Sequence, residues 1–109
     1  MVTNDRNAAL VLDALGNQVR RDILGMLKAE SLPVGDIAAR LPISRPAVSK
    51  HLRILENAGL VEYTTNGTRN IFRLRAGGFL AARAYVEGFW DEAMQNFVRL
   101  AEEGPGATP

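Results

Sequence analysis

The chain contains no cysteine and a single histidine, His51, and these two shortages remove whole classes of chemistry. Without thiols there is no disulfide scaffold, thiol nucleophile, redox motif or thiolate metal site. One imidazole cannot build a multi-histidine zinc site. Long apolar runs are missing as well. The longest near the start, Ala8 to Leu12, falls far short of the ~18 residues that span a bilayer. Asp5 precedes it and Asp13 follows it, with no small-residue cleavage motif, so it does not read as a signal peptide. The expectation is a soluble cytoplasmic chain with no membrane contact.

What is present fits one folded domain over residues 1–109. The composition is 47% hydrophobic and 23% charged, and the net charge of +1 is too small to favour disorder. That charge is unevenly spread. Residues 40–75 carry Arg40, Arg45, Lys50, Arg53, Arg69, Arg73 and Arg75 against only Glu56 and Glu62. The flanking thirds are slightly acidic, so one part of the chain can face a polyanion while the rest repels it.

Apolar spacing predicts a first helix from about Asp5 to Leu15. A second is capped by Asn17, carries Val19, Ile23, Leu24 and Leu27 on one stripe, and stops near Lys28. A short third helix from about Val34 to Arg40 ends before Pro42. Ser44 caps a fourth, leaving Pro46 at the second helical position, and Gly59 supplies its left-handed exit after Ala58. Leu60 to Thr65 and Asn70 to Leu74 alternate like strands around Asn66-Gly67, a strong hairpin signal. Gly77-Gly78 reads as a break before a last helix from Phe79 to about Glu103. Gly104 to Pro109 reads as a frayed tail.

Two helices joined by Leu41, Pro42 and Ile43, then a hairpin, make a winged helix-turn-helix. The expected fold is mainly α, about five helices plus a two-stranded wing. The helix-turn-helix lies at about 34–58, the wing at about 60–75 and dimerisation helices at about 5–15 and 78–103. With Val48 facing the core, Leu52 and Leu55 fall within about 40° of it at ~100° per residue. Pro46, Lys50, Arg53 and Asn57 then point the other way, with Ser49 on the flank. Exposed cations on a helix ordinarily mark a solvated face. Here they stand on the second helix of a helix-turn-helix, where Arg or Lys reaches phosphates and guanine edges. Ser44, Arg45, Pro46, Ser49, Lys50, His51, Arg53 and Arg69 are the candidate DNA contacts. Arg69 reads as a wing residue, Arg73 and Arg75 as the wing base. His51 lies nearer the core edge, so packing precedes phosphate contact in its reading.

Ser44 to Val61, SRPAVSKHLRILENAGLV, resembles the recognition-helix signature of the ArsR-type winged-helix repressors. Leu15 to Leu24, LGNQVRRDIL, resembles their second-helix signature with Arg20 and Arg21 in place, and IFRL (Ile71 to Leu74) matches the returning wing strand. The resemblance covers about residues 8–103 and implies a dimeric, cytoplasmic, DNA-binding repressor. The family's thiolate sensors carry Cys-Val-Cys on the third helix, where this chain has Pro33-Val34-Gly35. The zinc and nickel members pair Asp and His on the last helix, which here has no His. Phe89-Trp90 resembles the pair found in a metal-free, autorepressor-like subgroup, so no metal or other cofactor is expected, and no inducer is legible.

The last helix also carries a partner-facing pattern. Phe79, Val86, Ala93 and Leu100 recur every seven residues, with Phe89, Trp90 and Phe97 beside them. Gly88 costs ~1 kcal/mol against Ala within a helix, which is tolerable where a neighbouring helix must come close. Leu10 and Val11 of the first helix are the natural second contribution to a homodimer on a near-palindromic duplex. Catalysis finds no support. Ser44, Ser49 and His51 lack an orienting acid and an oxyanion turn, and the glycine pairs lack the Walker pattern. Glu87, Asp91 and Glu92 read as a solvated face. The alternative function is a winged-helix protein-interaction module, which should expose apolar residues on the fourth helix.

Overall fold

The computed structural model describes residues 2–104. Five helices and three short strands follow in the order α1 (Val2–Leu15), α2 (Gln18–Ala29), β1 (Leu32–Pro33), α3 (Val34–Ala39), α4 (Arg45–Asn57), β2 (Val61–Asn66), β3 (Arg69–Leu74) and α5 (Ala76–Glu103). Each start in the central part has a local cause. The Asn17 side chain accepts from the Arg20 amide, and Ser44 Oγ accepts from the Ala47 amide at 3.3 Å, with Pro46 in the first turn. Gly59, at φ 74°, turns the chain out of α4 in the left-handed conformation that favours glycine.

The core is apolar throughout. Val11 and Ala14 of α1, Ile23, Leu24 and Leu27 of α2, Ile37 of α3, and Val48, Leu52 and Leu55 of α4 meet Leu60 of the α4–β2 connection and Val61 and Phe72 of the sheet. Among the described residues no polar side chain is buried. The chain belongs to the winged helix-turn-helix class that its element order predicts.

Several local expectations shift. The sheet has three antiparallel strands in the order β1-β3-β2 rather than two, because Leu32 and Pro33 pair with Phe72 and Ile71. The hairpin turn moves by one residue: Asn66 pairs with Arg69, so Gly67-Thr68 forms the tip and Gly67 alone takes a positive φ, 65°. That pattern suits turns needing glycine at the first central position. Gly77-Gly78 does not break the chain; α5 starts before it, at Ala76, and Gly78 is buried where its amide donates to the Gly59 carbonyl at 2.8 Å. Gly104, at φ 66°, ends α5, and the tail expected beyond it, 105–109, lies outside the described residues. The first helix starts earlier than Asp5, at Val2.

A helix of 28 residues is about 42 Å long at ~1.5 Å per residue. Only its first turns pack on the domain, with Gly78 buried and Ala81 and Ala82 half-buried. The radius of gyration is 19.3 Å, against about 13 Å for a compact chain of this length. The extents of 69 × 28 × 22 Å describe a small domain with a projecting helix.

Candidate nucleic-acid interface

Burial of Val48, Leu52 and Leu55 fixes the roll of α4. Arg45, Pro46, Ser49, Lys50 and Arg53 therefore stand in solvent on the outward side, as the helical spacing requires. Ser44 is exposed but its hydroxyl already accepts from Ala47, so it shapes the helix start. The wing folds back beside this helix. Ser49, Arg53, Tyr63 and Asn70 line one cleft between α4 and the hairpin. Arg45 and Arg69 line a second with Val34, Gly35, Thr68 and Asn70. Two guanidiniums from distant parts of the chain thus flank one concave, polar surface. Arg69 Nη2 also lies 3.8 Å from Asp36 Oδ1 of α3, with both side chains exposed.

Arg73 is engaged elsewhere. Its Nε donates to Glu62 Oε2 at 3.0 Å across the β2–β3 ladder and its Nη1 to Thr64 Oγ1 at 3.3 Å. It braces the wing, as the wing-base reading expects, while Arg75 stands exposed before α5.

His51 faces inward from the flank of α4. Its Nδ1 lies 3.2 Å from Arg20 Nη1 of α2, and the ring is half-buried. Partial burial, then the charges of Arg20 and Lys50, hold its pKa below the ordinary value. Packing thus takes precedence over phosphate contact for this residue.

Sequence reasoning missed Tyr63, Asn70 and Asp36. Tyr63 is exposed on β2 and packs on Phe72 with ring centroids 5.1 Å apart and the planes tilted by 39°. Its outward place follows from the strand alternation, but its position opposite Arg53 depends on how the wing folds against α4. Asp36 lies on the short α3, where no spacing rule links it to residue 69.

The residues expected at a dimer contact divide. Phe79, Val86, Phe89, Trp90, Phe97 and Leu100 of α5 and Leu10 of α1 are exposed, with Phe89 at 66% and Trp90 at 55%, and Ala93 is half-buried. Val11 does not belong with them. It is fully buried beneath α1, facing the core of its own domain. The α1 helix has two apolar sides, and Val11 lies on the inner one.

Among the described residues no group of three or more His, Asp or Glu side chains could hold a metal ion, and no helix is long and apolar enough to cross a membrane.

A winged helix-turn-helix with a cationic second helix beside a cationic hairpin defines a DNA-binding protein. Residues 17–63 match the family described as bacterial regulatory protein, arsR family. The HTH-type transcriptional regulator Rv2034 of Mycobacterium tuberculosis is 39% identical over 89 residues, which cover 82% of this chain and 83% of the relative. Among solved structures, an ArsR-like transcriptional regulator from Rhodococcus sp. RHA1 superposes with a TM-score of 0.81 at 27% identity, over 91% of this chain and 93% of that one. The homodimeric winged helix-turn-helix DNA-binding domain Mb0332 of Mycobacterium bovis, a possible ArsR-family regulator, superposes with a TM-score of 0.63 at 33% identity, over 84% of each chain. The chain belongs to the ArsR family of bacterial regulatory proteins. It is a DNA-binding transcriptional regulator and not an enzyme.

Proposed function

We propose that the protein is a cytoplasmic homodimeric repressor that binds a near-palindromic duplex operator and releases it without a transition metal. The observation that carries this reading is the apolar stripe of α5, exposed on a helix that projects beyond its own domain. Burying a side chain such as Phe or Leu contributes about 1.5–3 kcal/mol, so two such stripes have reason to pair. Leu10 extends the stripe from α1. The homodimeric state of the Mycobacterium bovis domain supports the same assembly.

A two-fold pair sets its two α4 helices in successive major grooves ~34–36 Å apart. Lys50 and Arg53 then read base edges, Ser49 adds a hydroxyl, and Arg45 with Arg69 grips phosphate. Pro46 brings the start of α4 close to the groove wall. Occupancy of such a site covers promoter DNA, and repression follows from that. A protein-docking wing has less support, because the outward side of α4 is polar and cationic.

Sedimentation together with selection from a random duplex pool tests the reading. A dimer that enriches half-sites about one helical turn apart is expected. A monomer at micromolar concentration with full operator affinity overturns it. Metal independence is judged by equilibrium dialysis with zinc. A tight stoichiometric site that lowers operator affinity defeats that part.

A further inference from the structure

Arg20 makes contacts in three directions. Its Nε donates to the Ala14 carbonyl at 2.8 Å and its Nη2 to the Asp13 carbonyl at 3.3 Å. Both belong to the last turn of α1, whose carbonyls have no partner within the helix; the Asp13 carbonyl also accepts from the Gly16 amide at 3.2 Å. Its Nη1 lies 3.2 Å from His51 Nδ1 on α4. Arg21 donates to the following carbonyl, Leu15 O, at 2.7 Å, but its remaining bond goes to Gln18. Adjacent arginines therefore cap the same helix end, and only the first also reaches the DNA-reading helix.

A guanidinium has five donors, no acceptor and no accessible neutral form. Nδ1 must then be the acceptor in the Arg20–His51 contact, and the single proton of the neutral ring sits on Nε2. Half-burial and the neighbouring charges of Arg20 and Lys50 favour that neutral ring. Through the Arg20 side chain of α2, α4 is thus tied to the end of α1, a helix that packs against α5.

We infer that Arg20 is a positioning residue for DNA reading, holding His51 in its Nε2–H form and α4 in register with α1. The inference uses the DNA-binding role of α4 and is independent of whether the protein dimerises. Its function is geometric, and Arg20 itself touches no phosphate. The donor left on Nε2 is kept in one orientation beside Lys50.

His51 is the only histidine, so its ring nitrogens give unambiguous ¹⁵N signals in the full chain. At neutral pH the free parent protein should show an unprotonated Nδ1 and a protonated Nε2. Arg20→Met, which keeps the apolar stem and removes every donor, should give mixed tautomers. Arg21→Met takes a guanidinium from the same helix end and should keep the parent ring signals. On a selected operator, Arg20→Met should bind about tenfold more weakly, the scale of one charge-assisted hydrogen bond. The slope of affinity against salt should not change. His51→Phe should lose a similar factor, and the double variant no more than the larger single loss. A parent ring protonated on Nδ1 overturns the inference without any variant. So do additive losses in the double variant, a salt slope that falls by about one in Arg20→Met, or mixed tautomers in Arg21→Met.

Discussion

The amide of Gly78 donates to the Gly59 carbonyl at 2.8 Å, joining the first turn of α5 to the exit of the recognition helix. A side chain at 78 has no room. Its Cβ would lie 2.8 Å from the Gly59 carbonyl carbon and oxygen and would collide with the Ala58 carbonyl oxygen. All three atoms are backbone, so relief requires moving α5 off the domain. Gly78→Ala should destabilise the fold by about 3 kcal/mol, the upper range for overpacking. A melting temperature equal to the parent's, followed by circular dichroism, contradicts the contact.

Lys50→Ala or Arg53→Ala should each cost ~1–3 kcal/mol on the selected operator and relax the preference at one base pair. Competition binding against single-substitution duplexes measures both effects. If both variants bind and discriminate like the parent, the outward side of α4 does not read bases.

In the proposed complex Asp36 competes with DNA for Arg69. The pair spans 3.8 Å and is solvated on both sides, which places it among contacts worth ~0.2–1 kcal/mol. Asp36→Asn should tighten binding by about two- to fivefold, since a surface anion is removed and Arg69 is released. Arg69→Ala should weaken all sequences evenly and reduce the salt slope by ~1. Fluorescence anisotropy across a salt series distinguishes the two, and a weaker Asp36→Asn complex argues for a structural role of the pair.

Trp90→Glu and Phe97→Glu should separate the proposed dimer and abolish operator binding while far-ultraviolet circular dichroism keeps its helical signal. Both side chains are more than half exposed, Trp90 at 55% and Phe97 at 56%, so neither supports the core of its own domain. Aggregation-free monomers in sedimentation are the expected product. Loss of helix content instead would mean that the stripe closes the monomer.

His51 gives stability a mild pH dependence. Its native pKa lies below the ordinary 6.5, so between the two values the unfolded chain binds more protons than the folded one. Stability from this residue is fully present above about pH 6.5. It declines as pH falls toward the lowered native value and levels off beneath it. Urea midpoints should follow that course in the parent, and His51→Phe should flatten the segment.

Much of this was legible from local chemistry. Ser44, Pro46 and Gly59 mark the ends of α4 by capping and backbone preference, and Val48, Leu52 and Leu55 set its roll by spacing alone. What escaped depends on partners distant in the chain. Leu32-Pro33 has no strand pattern of its own, and becomes a strand only through Ile71 and Phe72. Val11 and Leu10 are adjacent apolar residues on a helix with two apolar sides, and only the packed domain decides which of them turns inward. The glycines at 77 and 78 suggest a break because intrinsic preference disfavours them in helices. The close backbone at Ala58 and Gly59 is the reason one of them is needed there. Arg20 and His51 stand 31 positions apart, beyond the reach of any periodicity.

In the proposed dimer the uncovered length of α5 makes gene dosage part of the protein's behaviour. In the proposed assembly only pairs read the operator, and while single chains predominate the concentration of pairs rises with the square of their supply. Halving synthesis then removes three quarters of the active species, a sharper response than any single-chain reader gives at the same affinity. A chain that has not found its twin keeps Phe89 and Trp90 in water. Surveillance proteases that recognise such surface would clear the surplus and steepen the threshold further.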